Sequence, residues 1–345
     1  MTSARTFPPR PGFEHPATGR RRPARRRLRT VAAGLALVGL LAGCGLRVET
    51  PPVVAPVPDA NEIARQRASA DSVGLVVLAA PAGTDPADPI TALRAAVVTQ
   101  SDAHLDQLGS GDTTPTEDPG PASPTASDPA ATAAAAATEA DLVAKLVLAA
   151  SSARADAASV PDGALARLLG SVSTARLLLA RQLAGAAGLE VPALPETVVP
   201  TAAPSGLAPS ALSAIVAGED EAGYGDEVVA AQLSDAARTT ALDRAAVHRD
   251  RAEQWARLAK LTTPGLDPRR AAYALPAGLG DPAVATVFAQ TIELSLATSY
   301  ASLLADADPD SRPALADALT EATATAVAWG APVPAFPGLP ERAAG

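Results

Sequence analysis

The sequence predicts an all-α fold, arranged as two tandem four-helix bundles. From Asp59 onward, apolar residues recur at the three-to-four-residue spacing of amphipathic helices, and no stretch shows the alternation typical of a strand. Two proline-rich segments, residues 109–132 and 186–208, interrupt this pattern. The chain has 345 residues, which is enough for about two domains of ordinary size.

The first bundle is predicted over residues 59–185. Asp88 stands before Pro89, a pattern typical of a helix start, because the carboxylate accepts a free backbone N–H and proline has none to satisfy. Residues 109–132 are predicted to be a disordered linker within this bundle, since they lack apolar side chains to bury. The apolar stripes place the four helices at residues 59–80, 89–108, about 133–158 and about 159–185.

The second bundle is predicted over residues 209–330, after a proline-rich linker at 186–208. Asp281 before Pro282 repeats the helix-start pattern of the first bundle. Residues 331–345 are predicted to be an irregular tail. The four helices are expected at about residues 209–233, 239–261, 282–304 and 313–329.

The lengths of the connections predict the topology of each bundle. In both bundles the order is short, long, short, and the long connections are residues 109–132 and 262–281. A short loop joins antiparallel neighbours, whereas a connection of about twenty residues can run the length of a helix. This is the connectivity of a ferritin-like bundle, with a long crossover between helices 2 and 3. His104-Leu105-Asp106 and His248-Arg249-Asp250, both on second helices, suggest a diverged duplication.

The N-terminal segment has the features of an export signal. The arginine-rich stretch of residues 20–30 precedes the apolar run Val31–Ala42, which is too short to span a bilayer as a helix. LAGC at residues 41–44 resembles a bacterial lipobox, and Cys44 is the only cysteine in the chain. We therefore expect a signal peptide at 1–43, lipidation of Cys44 and a proline-rich tether at 44–58. The protein is predicted to be exported and anchored in the lipid bilayer at the outer face of the cell membrane.

Two routes of export stay open from the sequence. Arg25-Arg26-Arg27-Leu28 resembles a twin-arginine signal, but such a match arises easily in so arginine-rich a segment. The choice between this route and the general secretory route is therefore not made by these residues.

The charge distribution excludes nucleic acid as a partner. Residues 1–43 carry nine arginines and one acid, a net charge of +8. Because the whole chain has a net charge of −9, the remaining residues carry −17. A body this acidic is repelled by phosphate backbones. The expected partners are the bilayer and an envelope protein or ligand that the sequence does not identify.

A cluster of five acids lies on the first helix of the second bundle, in the stretch GEDEAGYGDE. Helical spacing places Glu219 on the inward face with Leu212 and Ile215. Asp226, seven residues further on, lies at the edge of that face. Asp220, Glu221 and Glu227 are predicted to face or flank water.

The inward polar residues allow two interpretations. Glu219, His248 and Glu293 are candidate ligands for iron, manganese or zinc, because hard carboxylate oxygens and imidazole suit these metals. A di-iron centre needs six ligands, including two Glu-x-x-His pairs, and the position three before His248 is an alanine. The alternative, which we favour, is a metal-free core in which His248 and the nearby arginines neutralise the buried acids. The candidate arginines are Arg244 and Arg251.

The sequence shows no arrangement of a nucleophile with a base, no glycine-rich phosphate loop and no further cofactor motif. The sequence therefore favours a non-catalytic binding or scaffold module, and the alternative is a metal-binding bundle with a redox or storage role. His104, without an inward acid on its own bundle, is predicted to be a core or capping histidine. The aromatic residues Tyr224, Trp255, Tyr300 and Trp329 are predicted to lie in the core.

The C-terminal half, residues 207–330, resembles an actinobacterial lipoprotein family that carries a ferritin-like domain of unknown function. The resemblance rests on a set of short elements: Leu212, Gly218-Glu219 and Tyr224; His248-Arg249; Ala272-Tyr273-Ala274-Leu275-Pro276; Glu293 and Tyr300-Ala301; and Trp329. It implies a ferritin-like fold and an envelope location, and it brings no established activity.

Overall fold

The computed structural model describes residues 57–80, 85, 87–109 and 137–342. These residues form eight α-helices and no β-strand, so the predicted all-α fold is confirmed. The predicted signal peptide, the lipidation site at Cys44 and most of the linker at 109–132 lie outside the described residues. The helices are α1 (Ala60–Ala79), α2 (Pro89–Leu108), α3 (Glu139–Ser159), α4 (Gly163–Ala186), α5 (Pro209–Gln232), α6 (Asp235–Leu258), α7 (Pro282–Asp306) and α8 (Arg312–Ala328).

Two predicted helix starts are corrected by the structure. α3 begins at Glu139, not near residue 133, because Thr138 and Asp141 form a reciprocal capping box there. α6 begins at Asp235, a turn earlier than the predicted Thr239. Asp235 has φ of 51°, a left-handed conformation that Asp tolerates, so the chain reverses within the two residues that follow Gln232.

The packing of the helices agrees with a long crossover in each bundle. In the second bundle α5 packs against α6 and α7, and α7 packs against α8. Residues 259–281 form the crossover that carries the chain from the end of α6 to the start of α7. In the first bundle α1 packs against α2 and α3, and α4 packs against α2 and α3. A simple up-and-down bundle would pair its first helix with its fourth.

The two bundles pack directly against each other, through α3 and α4 on one side and α7 and α8 on the other. Leu169 and Leu304 belong to one hydrophobic core that extends across both bundles. Arg154 donates to both carboxylate oxygens of Asp317, at 2.7 and 2.6 Å. Buried apolar area and a charged pair both stabilise this contact, so the two bundles on either side of residues 186–208 pack directly against each other.

The described part of the C-terminal tail, residues 331–342, forms no α-helix, and several of its side chains are buried. Phe336 and Leu339 are buried in the common core, and a short 3₁₀ turn forms at Pro340–Arg342. Gln100 on α2 donates to the backbone oxygen of Val333 at 2.9 Å. The tail therefore ties the second bundle to the first.

One of the described helices is long and apolar enough to cross a membrane by length and composition. This is α4, and most of it is buried inside the folded chain. A core helix of a folded protein has the same composition, so the feature follows from the position of α4 between the bundles.

His104 provides a test of the fold by pH. The ring is buried, its Nε2 lies 2.8 Å from the backbone oxygen of Ala335, and it stacks edge-on against Phe336. Burial, together with the charge of Arg176, lowers the pKa of His104 from 6.5 to about 3. His104 is therefore protonated near pH 6.5 in the unfolded chain but stays neutral in the folded chain. The free energy of unfolding consequently falls as the pH drops below 6.5.

We expect His104→Gln, whose amide N–H replaces the Nε2–H donor, to remove this loss. At pH 5 the wild type should have lost about 2 kcal/mol relative to the variant, compared with their difference at pH 7.5. Urea unfolding followed by circular dichroism at the two pH values measures the difference. Parallel pH profiles for the two proteins would contradict the prediction.

Two glycines give opposite expectations for substitution by alanine. A Cβ added to Gly163, at the start of α4, would lie 2.0 Å from the backbone oxygen of Ala305. A Cβ added to Gly218 within α5 would meet only the side chain of Leu296, at 3.7 Å. Gly163→Ala should destabilise by about 1–3 kcal/mol, since two backbones must separate. Gly218→Ala should stabilise by about 0.5–1 kcal/mol, since alanine is the better helix former. The same unfolding assay measures both variants. A Gly163→Ala variant as stable as the wild type, or more stable, would show that the contact with Ala305 is not tight.

Candidate functional site

The centre of the second bundle holds a layer of polar side chains that all four helices supply. We call these eight residues the polar layer: Glu219 and Asp226 on α5, Arg244, His248 and Arg251 on α6, Glu293 and Tyr300 on α7, and Glu321 on α8. Spacings of three, four or seven residues bring members of one helix to the same face. Because burying a charge is costly without partners, the contacts within the layer decide what it can do.

His248 is the central contact of the polar layer. Its Nδ1 lies 2.7 Å from Oε2 of Glu219, and its Nε2 lies 3.3 Å from Oε1 of Glu293. Burial lowers the pKa of His248, but the hydrogen bonds and charges of these two carboxylates outweigh it and raise the pKa to about 9. His248 is therefore an imidazolium at neutral pH and donates from both ring nitrogens.

Glu219 is fully buried, as its position on the inward face predicted. Its second oxygen, Oε1, accepts a hydrogen bond from the hydroxyl of Tyr300. Burial and the charge of Glu219 hold the pKa of Tyr300 well above its ordinary value, so the hydroxyl keeps its proton. Glu219 is thus satisfied on both oxygens by His248 and Tyr300.

Arg244 holds the carboxylates of two other helices. Its Nε and Nη2 donate to the two oxygens of Glu293, at 2.8 and 3.1 Å, and its Nη1 donates to Glu321. Arg251, two turns further on, donates to the other oxygen of Glu321 at 2.6 Å. Burial raises the pKa of Glu321, but the two arginines outweigh it and lower the pKa overall. Such fork-shaped pairs are the strong form of a charged hydrogen bond.

Asp226 is the exception within the polar layer. It is 0% exposed, yet neither carboxylate oxygen has a hydrogen-bond partner among the described residues. The nearest charged donor is Nε2 of His248, 3.6 Å from Oδ2. Burial raises the pKa of Asp226 to about 7, with a further increase from Glu293, while His248 and Arg244 act in the opposite direction. Asp226 is therefore the one member of the polar layer that carries an unmet hydrogen-bonding need.

The charges of the polar layer balance when Asp226 is protonated. Three carboxylates, on Glu219, Glu293 and Glu321, then face three cations, on Arg244, Arg251 and His248. Ionisation of Asp226 leaves one negative charge without a counter-charge. A cation that entered the layer would have this single charge to neutralise.

The layer offers a group of donor atoms suited to a metal ion, although not the predicted group. Donor atoms of Asp226, His248 and Glu293 lie within 4.8 Å of one another. Glu219 contacts the opposite ring nitrogen of His248, so one metal ion bound at Nε2 does not reach it. The group with metal-ligand spacing therefore contains Asp226, together with His248 and Glu293 of the predicted set.

The position of Arg244 disfavours a metal ion at these donor atoms. Its Nη2 lies 3.3 Å from Nε2 of His248 and 3.1 Å from Oε2 of Glu293. A metal ion bound to these two side chains would lie beside the positive guanidinium in a low-dielectric core. Carboxylate and imidazole donors fit a divalent metal, but the position of Arg244 does not.

The structure also corrects how the sequence sorted the acids of α5. Glu221 and Glu227 are exposed, as predicted. Asp220 is buried, contrary to prediction, because the crossover folds over it and Tyr273 donates to it at 2.7 Å. Asp226 is fully buried and not at an edge; its seven-residue spacing from Glu219 was the signal for this position.

Two further residues differ from what helical spacing alone suggests. Glu321 on α8 accepts from both Arg244 and Arg251. A long carboxylate side chain can bend toward buried cations, which helical spacing alone does not show. Tyr224 is only half-buried and does not lie in the core, unlike Trp255 and Tyr300.

Comparison with known protein families supports the predicted domain of unknown function in the C-terminal half of the chain. A domain of unknown function (DUF4439) is found at residues 211–341. The match begins within α5 and includes the packed tail. No significant match was found among curated proteins or among solved structures.

Proposed function

We propose that the protein is an exported lipoprotein, anchored through Cys44 at the outer face of the cell membrane. Its helical bundles act there as a non-catalytic binding module for an envelope protein or a small ligand. The proposed export and membrane anchoring are supported by the arginine-rich segment, the short apolar run and the LAGC sequence at residues 20–44. These residues precede the part of the chain that the structure describes.

The anchoring step is a thioether-forming transfer. The thiol of Cys44 attacks the glycerol carbon that bears the phosphate of a phospholipid, so the S–C bond forms as the C–O bond to the phosphate breaks. The phosphate headgroup leaves with the electron pair of that bond and takes up the thiol proton. Hydrolysis of the bond between Gly43 and Cys44 then makes Cys44 the first residue of the mature chain. Two acyl chains are enough for stable anchoring.

The non-catalytic role is supported chiefly by one contact, the fork of Arg244 on Glu293. It supplies a permanent cation beside His248, where a ferritin-like bundle would hold a metal. The remaining acids of the polar layer are neutralised by protein groups, apart from Asp226. A layer neutralised in this way holds the helices in register and has no open position for a substrate.

The anchor is tested by expressing the full chain and Cys44→Ser in a bacterium that processes lipoproteins. The wild type should fractionate with membranes, and mass spectrometry of its N-terminal peptide should find Cys44 with a diacylglyceryl group. The variant should carry no lipid. An unmodified wild-type Cys44 would overturn the lipoprotein proposal.

A second candidate, a single-metal site, is favoured by the unpaired oxygens of Asp226. Elemental analysis of the full chain, after exposure to iron(II), manganese(II) or zinc(II) and removal of the excess, separates the candidates. The first proposal expects less than stoichiometric metal in the wild type. Stoichiometric metal that is lost in Asp226→Asn, but kept in the exposed control Glu227→Gln, would establish the second candidate instead.

A further inference from the structure

A cleft lies on the outer side of α5, away from the polar layer. Its walls are α5, α7 and the crossover segment around Tyr273, and its volume is about 300 Å³. Cavities of this size hold small organic molecules. Gly218 lies on the α5 wall, where an added Cβ would meet only Leu296, at 3.7 Å, and Gly225 lets Ile292 and Phe288 pack close to α5.

Aromatic rings are concentrated at this cleft. The whole chain has nine aromatic residues, two Trp, three Tyr and four Phe, and three of the nine line this one site. They are Tyr224 on α5, Tyr273 on the crossover and Phe288 on α7. The rings of Tyr224 and Tyr273 are tilted by 50° with centroids 5.9 Å apart, so their faces do not stack flat on each other. Ring faces carry the negative part of the aromatic quadrupole, which attracts cations.

The ionic character of the cleft is negative. Glu221 is the one ionised side chain among the residues that line it, and no arginine, lysine or histidine is among them. Glu221 makes no ion pair with any residue in the described ranges. The hydroxyls of Thr291 and Ser299 donate to carbonyls of their own helix, at 2.9 and 3.1 Å, and so offer lone pairs to the cleft. An anion would meet repulsion here, and a cation would meet complementary groups.

The aromatic wall is held in place before any ligand arrives. The hydroxyl of Tyr273 donates to Asp220, which Arg249 also holds. Arg249 is itself bound to Glu227 as well, so this nearby arginine is not available to neutralise Glu221. A wall that is already ordered loses little entropy on binding.

We propose that this cleft binds a small organic ammonium ion, methylated or quaternary, with a short apolar body. The charged head lies against the rings of Tyr224 and Tyr273 near Glu221, and the body lies against Phe288, Leu275 and Ile292. The inference deepens the proposed binding role, since it names the chemical class of the ligand. It does not depend on how the chain is anchored or on the metal content of the polar layer.

The test uses the full chain in maltoside micelles, titrated by calorimetry with choline and with benzyltrimethylammonium. Both should bind, whereas the neutral isostere of choline, 3,3-dimethylbutan-1-ol, and the anion benzoate should bind at least about tenfold more weakly. Equal binding of choline and its neutral isostere, or no binding of either ammonium ion at millimolar concentration, would overturn the proposal.

Variants locate the site. Tyr224→Leu should weaken benzyltrimethylammonium about two- to fivefold, and Glu221→Gln about threefold or more. Gly218→Leu, which fills the cleft, should abolish binding, with retained folding checked by circular dichroism. Asp243→Asn, which removes an exposed acid on α6 outside the cleft, is the control and should leave the affinity unchanged. A Glu221→Gln affinity equal to that of the control would refute the site, even if Gly218→Leu fails to fold. If the ammonium proposal fails, the lipoprotein proposal and the metal candidate are unaffected, because mass spectrometry of Cys44 and elemental analysis test them separately.

Discussion

Arg244→Met is expected to lower the free energy of unfolding by about 3–5 kcal/mol. The substitution keeps the length and the apolar stem of the side chain and removes its charge. Glu293, which is fully buried, then loses both of its bonds to the guanidinium, and Glu321 keeps only its bond to Arg251. The large loss arises because three carboxylates of the polar layer then face only two cations, Arg251 and His248, and not because the pair itself is worth this much.

Urea unfolding of the full chain, followed by far-ultraviolet circular dichroism, measures the loss. Arg257→Met is a matched control on the same helix, since Arg257 is 69% exposed and pairs with Glu253 one turn away. It should change stability by less than about 0.5 kcal/mol. Arg244→Lys should fall between the two, because an ammonium keeps the charge but lacks the fork that holds both oxygens of Glu293. A loss below about 1 kcal/mol for Arg244→Met would show that the polar layer is not closed by this residue.

Much of the fold could be predicted because helices carry local signals. The spacing of apolar residues identified the eight helices, and the lengths of the connections identified the crossovers. The start of α6 could not be found in this way, because its first turn is exposed and Asp235 takes a left-handed conformation to close a very short connection. The packing of the bundles on each other was also beyond reach, since both α4 and α7 are apolar on more than one face.

The candidate site was predictable where one helix decides burial. Glu219, His248 and Glu293 lie on inner stripes, and Arg244 and Arg251 follow from their distance of four and three residues from His248. Residues whose burial depends on a distant segment were misassigned. Asp220 is covered by the crossover, which no pattern within α5 could reveal.

The three consecutive acids of α5 show how one turn of helix serves three purposes. Glu219 points into the polar layer, Asp220 fixes Tyr273 of the crossover, and Glu221 lines the open cleft. Successive residues on a helix are 100° apart, so three neighbours necessarily face different surroundings. The same turn thus joins the neutralised core to the surface at which we place the ligand.

Asp226→Asn is expected to stabilise the protein by about 2–4 kcal/mol at pH 8. The amide has nearly the shape of the carboxyl group and carries no charge, so the variant avoids burying an unpaired carboxylate. In the wild type the folded chain holds the carboxyl proton until about pH 7, whereas the unfolded chain releases it near its ordinary pKa of 3.8. Wild-type stability therefore declines as the pH rises between these two values, while that of the variant does not.

The gain should consequently be small at pH 4.5 and fully developed at pH 8, in urea unfolding with EDTA present. Asp243→Asn, an exposed position on α6, is the control and should show no gain of this kind. The sign of the effect separates the two functions proposed for the polar layer. A metal bound by Asp226 would make the substitution destabilising without EDTA, because the wild type alone would gain the free energy of metal binding. If the variant is more stable than the wild type both with and without EDTA, Asp226 destabilises the fold and no bound metal offsets this effect. That result is expected if the guanidinium of Arg244 occupies the position where a metal ion would bind.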